Sequence, residues 1–280
     1  MSNILPLADV LATRSIDGLE VRYRVTEDWG QGRATFGGLL SALAADAMRA
    51  VAGAAWGPDV KLTALQTSFV GPVAVGEAVL QVRVLREGKN VRQVQATLVQ
   101  WDADKGEQVG AVFLGVYGAR RESSLQVMLP TRPEPARPVE ALADMPYLAG
   151  LTPNFTQHFQ FRWAAGSLPF TGGKDWNSSV HLKLRDALAG HPHREELLCA
   201  MLADAGPTPA LGRMTVIKPA SSVSWALELR VPEATDPDGW WRYDKETIAA
   251  AHGYVNERTW LWAPDGSLAG LGYQVVGVYG

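Results

Sequence analysis

The sequence contains a single cysteine, Cys199, so an internal disulfide cannot form and every zinc site built on paired cysteines is excluded. Basic runs are missing too. Acidic and basic residues are interspersed and sum to a net charge of −3, which leaves no electrostatic footprint for nucleic acid or an anionic membrane surface. No apolar stretch reaches the roughly 18 residues that a spanning helix needs. The opening MSNILPLADVLATRSIDGLEV has no basic segment followed by a long apolar one. A cytoplasmic chain without membrane or nucleic-acid partners is expected. Disorder is excluded as the main state, because 47% of the 280 residues are hydrophobic.

Several catalytic signatures are absent as well. Without a GxSxG elbow there is no serine nucleophile of the α/β-hydrolase kind. Gly30-Gln31-Gly32 and Gly270-Leu271-Gly272 lack the third glycine of a phosphate-binding turn, and no GxxxxGK[ST] exists. His191-Pro192-His193 resembles a metal pair but has no third ligand nearby and reads as a surface loop. Asp102-Ala103-Asp104-Lys105-Gly106 opens like a calcium loop but has no glutamate in the twelfth position, and reads as a hairpin turn. No metal and no cofactor are expected.

What is present is a repeat. Gly115-Val116-Tyr117-Gly118 returns as Gly277-Val278-Tyr279-Gly280, 162 positions on. The helical run Ser41–Ala47 is echoed by Cys199–Ala205 at 158, and Trp101 with its turn by Trp262 at 161. Three echoes in the same order indicate two copies of one unit. The first copy has an apolar helix over Gly38–Val51 that other structure must wrap, and strands near Gly18–Thr26, Leu62–Val70, Ala78–Arg86, Val91–Trp101 and Val109–Gly118. The second has a helix over Glu195–Ala205, stopped by Gly206-Pro207, and strands near Phe155–Trp163, Ser221–Val231, Trp240–Tyr243, His252–Trp262 and Leu268–Tyr279. One long helix against a curled antiparallel sheet makes each unit α+β. The expected division is 1–120, a proline-rich linker over 121–153, and 154–280.

Three polar residues stand out. Asp204, beside Gly206-Pro207 at a helix C-terminus, is either a carboxylate tuned upward into a general base or a solvated turn residue. Gln274 lies in the last strand, where the repeat aligns it with Val112. It is either a buried amide able to hold a reacting water or an outward-facing polar residue. Ser222 opens a strand and could hydrogen-bond at a site near Asp204.

The run Gly32-Arg33-Ala34-Thr35-Phe36-Gly37-Gly38 leading into an apolar helix resembles the start of the central helix in TesB-type (thioesterase II) acyl-CoA thioesterases. Thr67–Pro72, Leu197–Gly206, Ser222-Val223-Ser224-Trp225 and Gln274 are similar to that family in the same order. The resemblance implies a double hot-dog fold and hydrolysis of acyl-CoA to a carboxylic acid and free CoA. It also implies a homodimer or higher homo-oligomer. It carries the catalytic roles onto Asp204 as base and onto Ser222 and Gln274 as holders of the water. Ser222 stands where the family usually has Thr, and Ser224 where an acidic residue is common.

On this reading the backbone N–H of Gly37 or Gly38 is the candidate oxyanion donor, with close backbone packing as the other role for that pair. Phe36, Met201 and Trp225 are candidate walls of an acyl slot between the units. Asp46, the echo of Asp204, is expected to be structural. A non-catalytic acyl-CoA or acyl-carrier binding protein on the same fold is the alternative. A hot-dog hydratase ranks last, because neither helix contains a histidine.

Overall fold

An apolar helix with no polar stripe needs protein on every side, and here every side chain from Gly37 to Arg49 is buried. The computed structural model describes residues 4–279 except Gln126 and Ala187, so Gly280 of the repeat lies outside the described residues. Helix α1 (Leu7–Ala12) and strands β1 (Ser15–Asp17) and β2 (Glu20–Val25) lead through a small hairpin, β3 (Gly30–Gln31) and β4 (Ala34–Thr35), into α2 (Gly37–Ala52). Strands β5 (Val60–Phe69), β6 (Gly76–Glu87), β7 (Val91–Asp102) and β8 (Gly106–Ala119) follow. The second half runs β9 (Phe159–Ala165), β10 (Asn177–Leu184), α3 (Arg194–Leu202), β11 (Ala220–Leu229), β12 (Trp241–Ala251), β13 (Tyr254–Trp262) and β14 (Leu268–Val278).

All long strands join one antiparallel sheet in the order β1-β2-β6-β7-β8-β5-β11-β14-β13-β12-β10-β9. The halves meet at β5 and β11, where Leu65 pairs with Leu227. The stretch between them is pinned to the second half: Arg162 donates to the Asp144 carboxylate at 2.6 Å and the Val139 carbonyl at 3.0 Å, and Arg242 donates to the Pro133 carbonyl at 2.8 Å.

The β-bulges give the true register of the repeat. Thr63 is the unpaired residue between β5 and β8, and Val223 between β11 and β14, 160 positions apart. Gly110 on β8 matches Ala269 on β14 at 159, and Leu85 on β6 matches Ile248 on β12 at 163. The last strands are therefore offset by 159, three residues away from the GVYG echo. A slip by an odd number turns each side chain to the opposite face. Accordingly Tyr117 is fully buried while Tyr279 is 57% exposed. The spatial counterpart of Gln274 is Gly115, not Val112.

Three element boundaries differ from expectation. Helix α3 ends at Leu202, because Pro207 disfavours helix in the residue before it and the chain tightens first. The N–H groups of Asp204 and Ala205 bond three residues back, to Met201 and Leu202, at 3.3 and 3.2 Å. Strand β10 has no counterpart among the expected strands, its polar start hiding buried Val180, Leu182 and Leu184. Strand β12 continues eight residues past Tyr243 through Asp-Lys-Glu, since Lys245 turns inward and finds an anionic partner in Glu257.

Candidate active site

Asp204 sits on the tightened turn after α3, half-buried, and Oδ1 of its carboxylate accepts from Gln274 Nε2 at 2.9 Å. The same amide nitrogen donates to Ser222 Oγ at 2.5 Å. Gln274 is itself buried at 5% exposure. The bulge at Val223 makes the meeting possible. Ser222 and Trp225 lie an odd number of positions apart, and the extra residue restores both to the inner face. The structure thus brings Asp204, Ser222 and Gln274 together, from a turn and two neighbouring strands.

The first half closes the other side. An ideal Cβ on Gly37 would stand 2.8 Å from Asp204 Oδ2 and 3.0 Å from Phe69 Cζ, so the start of α2 lies directly against the carboxylate. The Gly38 amide is close enough to favour the charged form of Asp204, and both expected oxyanion donors, Gly37 and Gly38, lie at this start of α2. Burial pushes the Asp204 carboxyl up to about 6, opposed by Lys245, Gln274 and the Gly38 amide and reinforced by Glu257.

The three candidate walls are deep in the core. Phe36 is fully buried and stacks on Phe155 with ring centres 3.9 Å apart, and Met201 and Trp225 are buried as well. A cleft of about 370 Å³ has Ser224, Ile248, Asn256 and Tyr273 among its lining residues and also reaches Trp225 and Gln274. These four residues are exposed, and on β14 Tyr273 alternates with the inward Gln274.

The equivalent position in the first half is filled. A Cβ on Gly115 would meet Met48 Sδ at 2.7 Å and Leu62 Cδ1 at 3.4 Å, and Leu62 is the counterpart of Ser222. Asp46 is buried within α2, accepting from Arg14 at 2.9 Å and from the Tyr23 hydroxyl at 2.6 Å. We therefore expect Asp46→Asn to leave turnover per folded molecule unchanged. Stability should fall by about 1–3 kcal/mol in urea unfolding, since Arg14 and Tyr23 lose a charged acceptor.

His191 and His193 are half-buried rather than on an open loop. Burial lowers both pKa values, with Asp46 near His191 and the Arg49–Glu196 ion pair near His193. Among the described residues no group of three metal-binding side chains occurs. Asp102 accepts the N–H groups of Asp104 and Lys105 at 2.9 Å and turns the β7–β8 hairpin.

Comparison with known proteins gives the family and the fold. Residues 25–117 match the family model of the acyl-CoA thioesterase N-terminal domain and residues 133–278 that of the C-terminal domain. Among solved structures, a hot-dog-fold protein of unknown function from Alicyclobacillus acidocaldarius is similar at TM-score 0.78 and 19% identity, covering 99% of both chains. The tesB protein of Mycobacterium avium subspecies paratuberculosis aligns at TM-score 0.76 and 15% identity, covering 98% of this chain and 99% of its own. Acyl-CoA thioesterase II TesB2 of Mycobacterium marinum aligns at 0.73 and 17%, covering 98% of both. Among curated proteins none matches.

Proposed function

Since the chain belongs to the acyl-CoA thioesterase family, of TesB type and double hot-dog fold, we propose that it hydrolyses acyl-CoA by direct attack of a water held by Asp204, Ser222 and Gln274. The observation that carries this reading is the Gln274 amide, which donates to both the carboxylate and the hydroxyl. One amide nitrogen thus gathers a carboxylate oxygen and a hydroxyl oxygen around a single point, a set of groups able to hold a water. Asp204 takes a proton from that water as the oxygen attacks the thioester carbonyl carbon. The carbonyl oxygen becomes an oxyanion, for which the Gly37 N–H at the positive start of α2 is our proposed donor. Collapse breaks the C–S bond, and the proton on Asp204 passes to the departing thiolate. No acyl-enzyme forms.

The division into 1–120, 121–153 and 154–280 is part of this proposal. The second unit supplies the base and the water holders, the first the helix start. A homodimer or higher homo-oligomer remains the proposed assembly, with a cytoplasmic location. Among the described residues no helix is long and apolar enough to cross a membrane.

The test is CoA release, followed with a thiol reagent over acyl-CoAs from acetyl to palmitoyl and benzoyl. Gln274→Ala should lower kcat by about 10²-fold on the best substrate, as removal of a preorganised amide does elsewhere. Undiminished kcat in that variant would remove the observation on which the reading stands.

A further inference from the structure

Two buried charges next to this site take no part in the chemistry described above. Lys245 on β12 and Glu257 on β13 are each only 2% exposed and form an ion pair at 3.0 Å. Lys245 Nζ also donates to the Gly206 carbonyl at 2.8 Å, two residues beyond Asp204. Gly206 has no room to move away, because a Cβ there would overlap the buried Tyr243 ring, 2.0 Å from Cζ. Glu257 is the direct cross-strand partner of Gln274, and its Oε2 has no hydrogen-bond partner.

A buried ion pair is weak evidence of stabilisation, since desolvating two charges offsets most of their attraction. The position of this one suggests another purpose. We propose that Lys245 and Glu257 are positioning residues for Asp204, the ammonium fixing the turn that carries it and the two charges together setting how readily it ionises. The inference rests on the reading of Asp204 as the general base.

The groups facing Asp204 can be taken element by element. β12 presents Lys245, β13 Glu257, β14 Gln274, β11 Ser222, and the start of α2 the Gly38 amide, while Tyr243 of β12 lies against Gly206. Lys245 favours the carboxylate and Glu257 opposes it. The two effects have opposite signs, as those of a cation and an anion beside one carboxylate must, so neutralising each in turn should move the titration of Asp204 in opposite directions.

The experiment is the pH profile of kcat/KM for wild type, Lys245→Met, Lys245→Arg and Glu257→Gln, with Asp204→Asn alongside. Lys245→Met should move the acid limb up by about one pH unit, and Glu257→Gln should move it down by a comparable amount. Lys245→Arg, which keeps the charge, should return the limb towards the wild-type position. Glu257→Gln retains an acceptor for Nζ, so it tests the idea even if Lys245→Met does not fold.

A limb that stays at the wild-type pH in Glu257→Gln, and in Lys245→Met where it folds, with Asp204→Asn inactive, would overturn this inference and leave the proposed mechanism standing. Full turnover in Asp204→Asn would instead overturn the mechanism, and this inference with it.

Discussion

Asp204→Asn should lower kcat by roughly 10²–10⁴-fold, the usual contribution of a positioned general base, while the fold is retained. The amide keeps the shape of the carboxylate and an oxygen for the Gln274 amide, while the basicity is lost. In the wild type, kcat/KM should decline below about pH 6, where the raised Asp204 carboxyl takes up its proton. The same substitution should stabilise the protein in alkali.

The native carboxyl titrates near 6 and the unfolded one near its ordinary 3.8. Between these values the unfolded chain binds fewer protons, so this group's contribution to stability falls as pH rises through the window and is constant above it. The advantage of Asn should be absent below about pH 4 and complete above about pH 6. A size of about 2 kcal/mol is expected once partial exposure is discounted. Urea midpoints at pH 4 and pH 8 measure it, and equal differences at the two pH values would contradict the assignment.

The second large effect is expected from Gly38→Ala. The added Cβ would lie 2.3 Å from Phe36 Cζ and 2.6 Å from the Met201 carbonyl oxygen. Phe36 is held in its stack with Phe155, and the carbonyl is helix backbone, so neither can yield cheaply. The start of α2 must move away from the end of α3, at a cost of roughly 3 kcal/mol. It takes with it Gly37, which lies directly against the Asp204 carboxylate, and a displacement of about 1 Å at a reacting group is worth roughly 10²-fold in rate. Turnover normalised to folded protein separates the two losses. A rate unchanged on that basis would show that the helix start has no hold on the carboxylate.

Much of this was legible in the residues. The alanine-rich helix and the turns at Asp102 and Gly206-Pro207 follow from composition and punctuation, whereas Asp204, Ser222 and Gln274 stand out only as polar residues in apolar runs and take their roles from the family resemblance. What was not legible depends on single unpaired residues. The Val223 bulge turns Ser222 inward, and alternation by itself would place Ser222 and Trp225 on opposite faces. The shared GVYG is real as sequence but misleading as register, since bulges and loops of different length separate it by three residues in space. Strand β12 was underestimated because Lys245 looks like a surface residue until Glu257 is placed opposite it. The hidden information in each case is a partner distant in sequence.

The join between β5 and β11, with the start of α2 resting on the turn after α3, has a further consequence. On the proposed mechanism neither half contains a complete site, so a competent site would exist only when both are folded and docked, and local opening of either would unmake it. Were the halves separate chains, assembly would depend on their concentration. The covalent connection turns it into an intramolecular event, at an effective concentration on the order of millimolar for a flexible tether and higher for one pinned along its course by Arg162 and Arg242. On that mechanism the proline-rich stretch supplies no reacting group, yet it would keep the two halves together at any dilution.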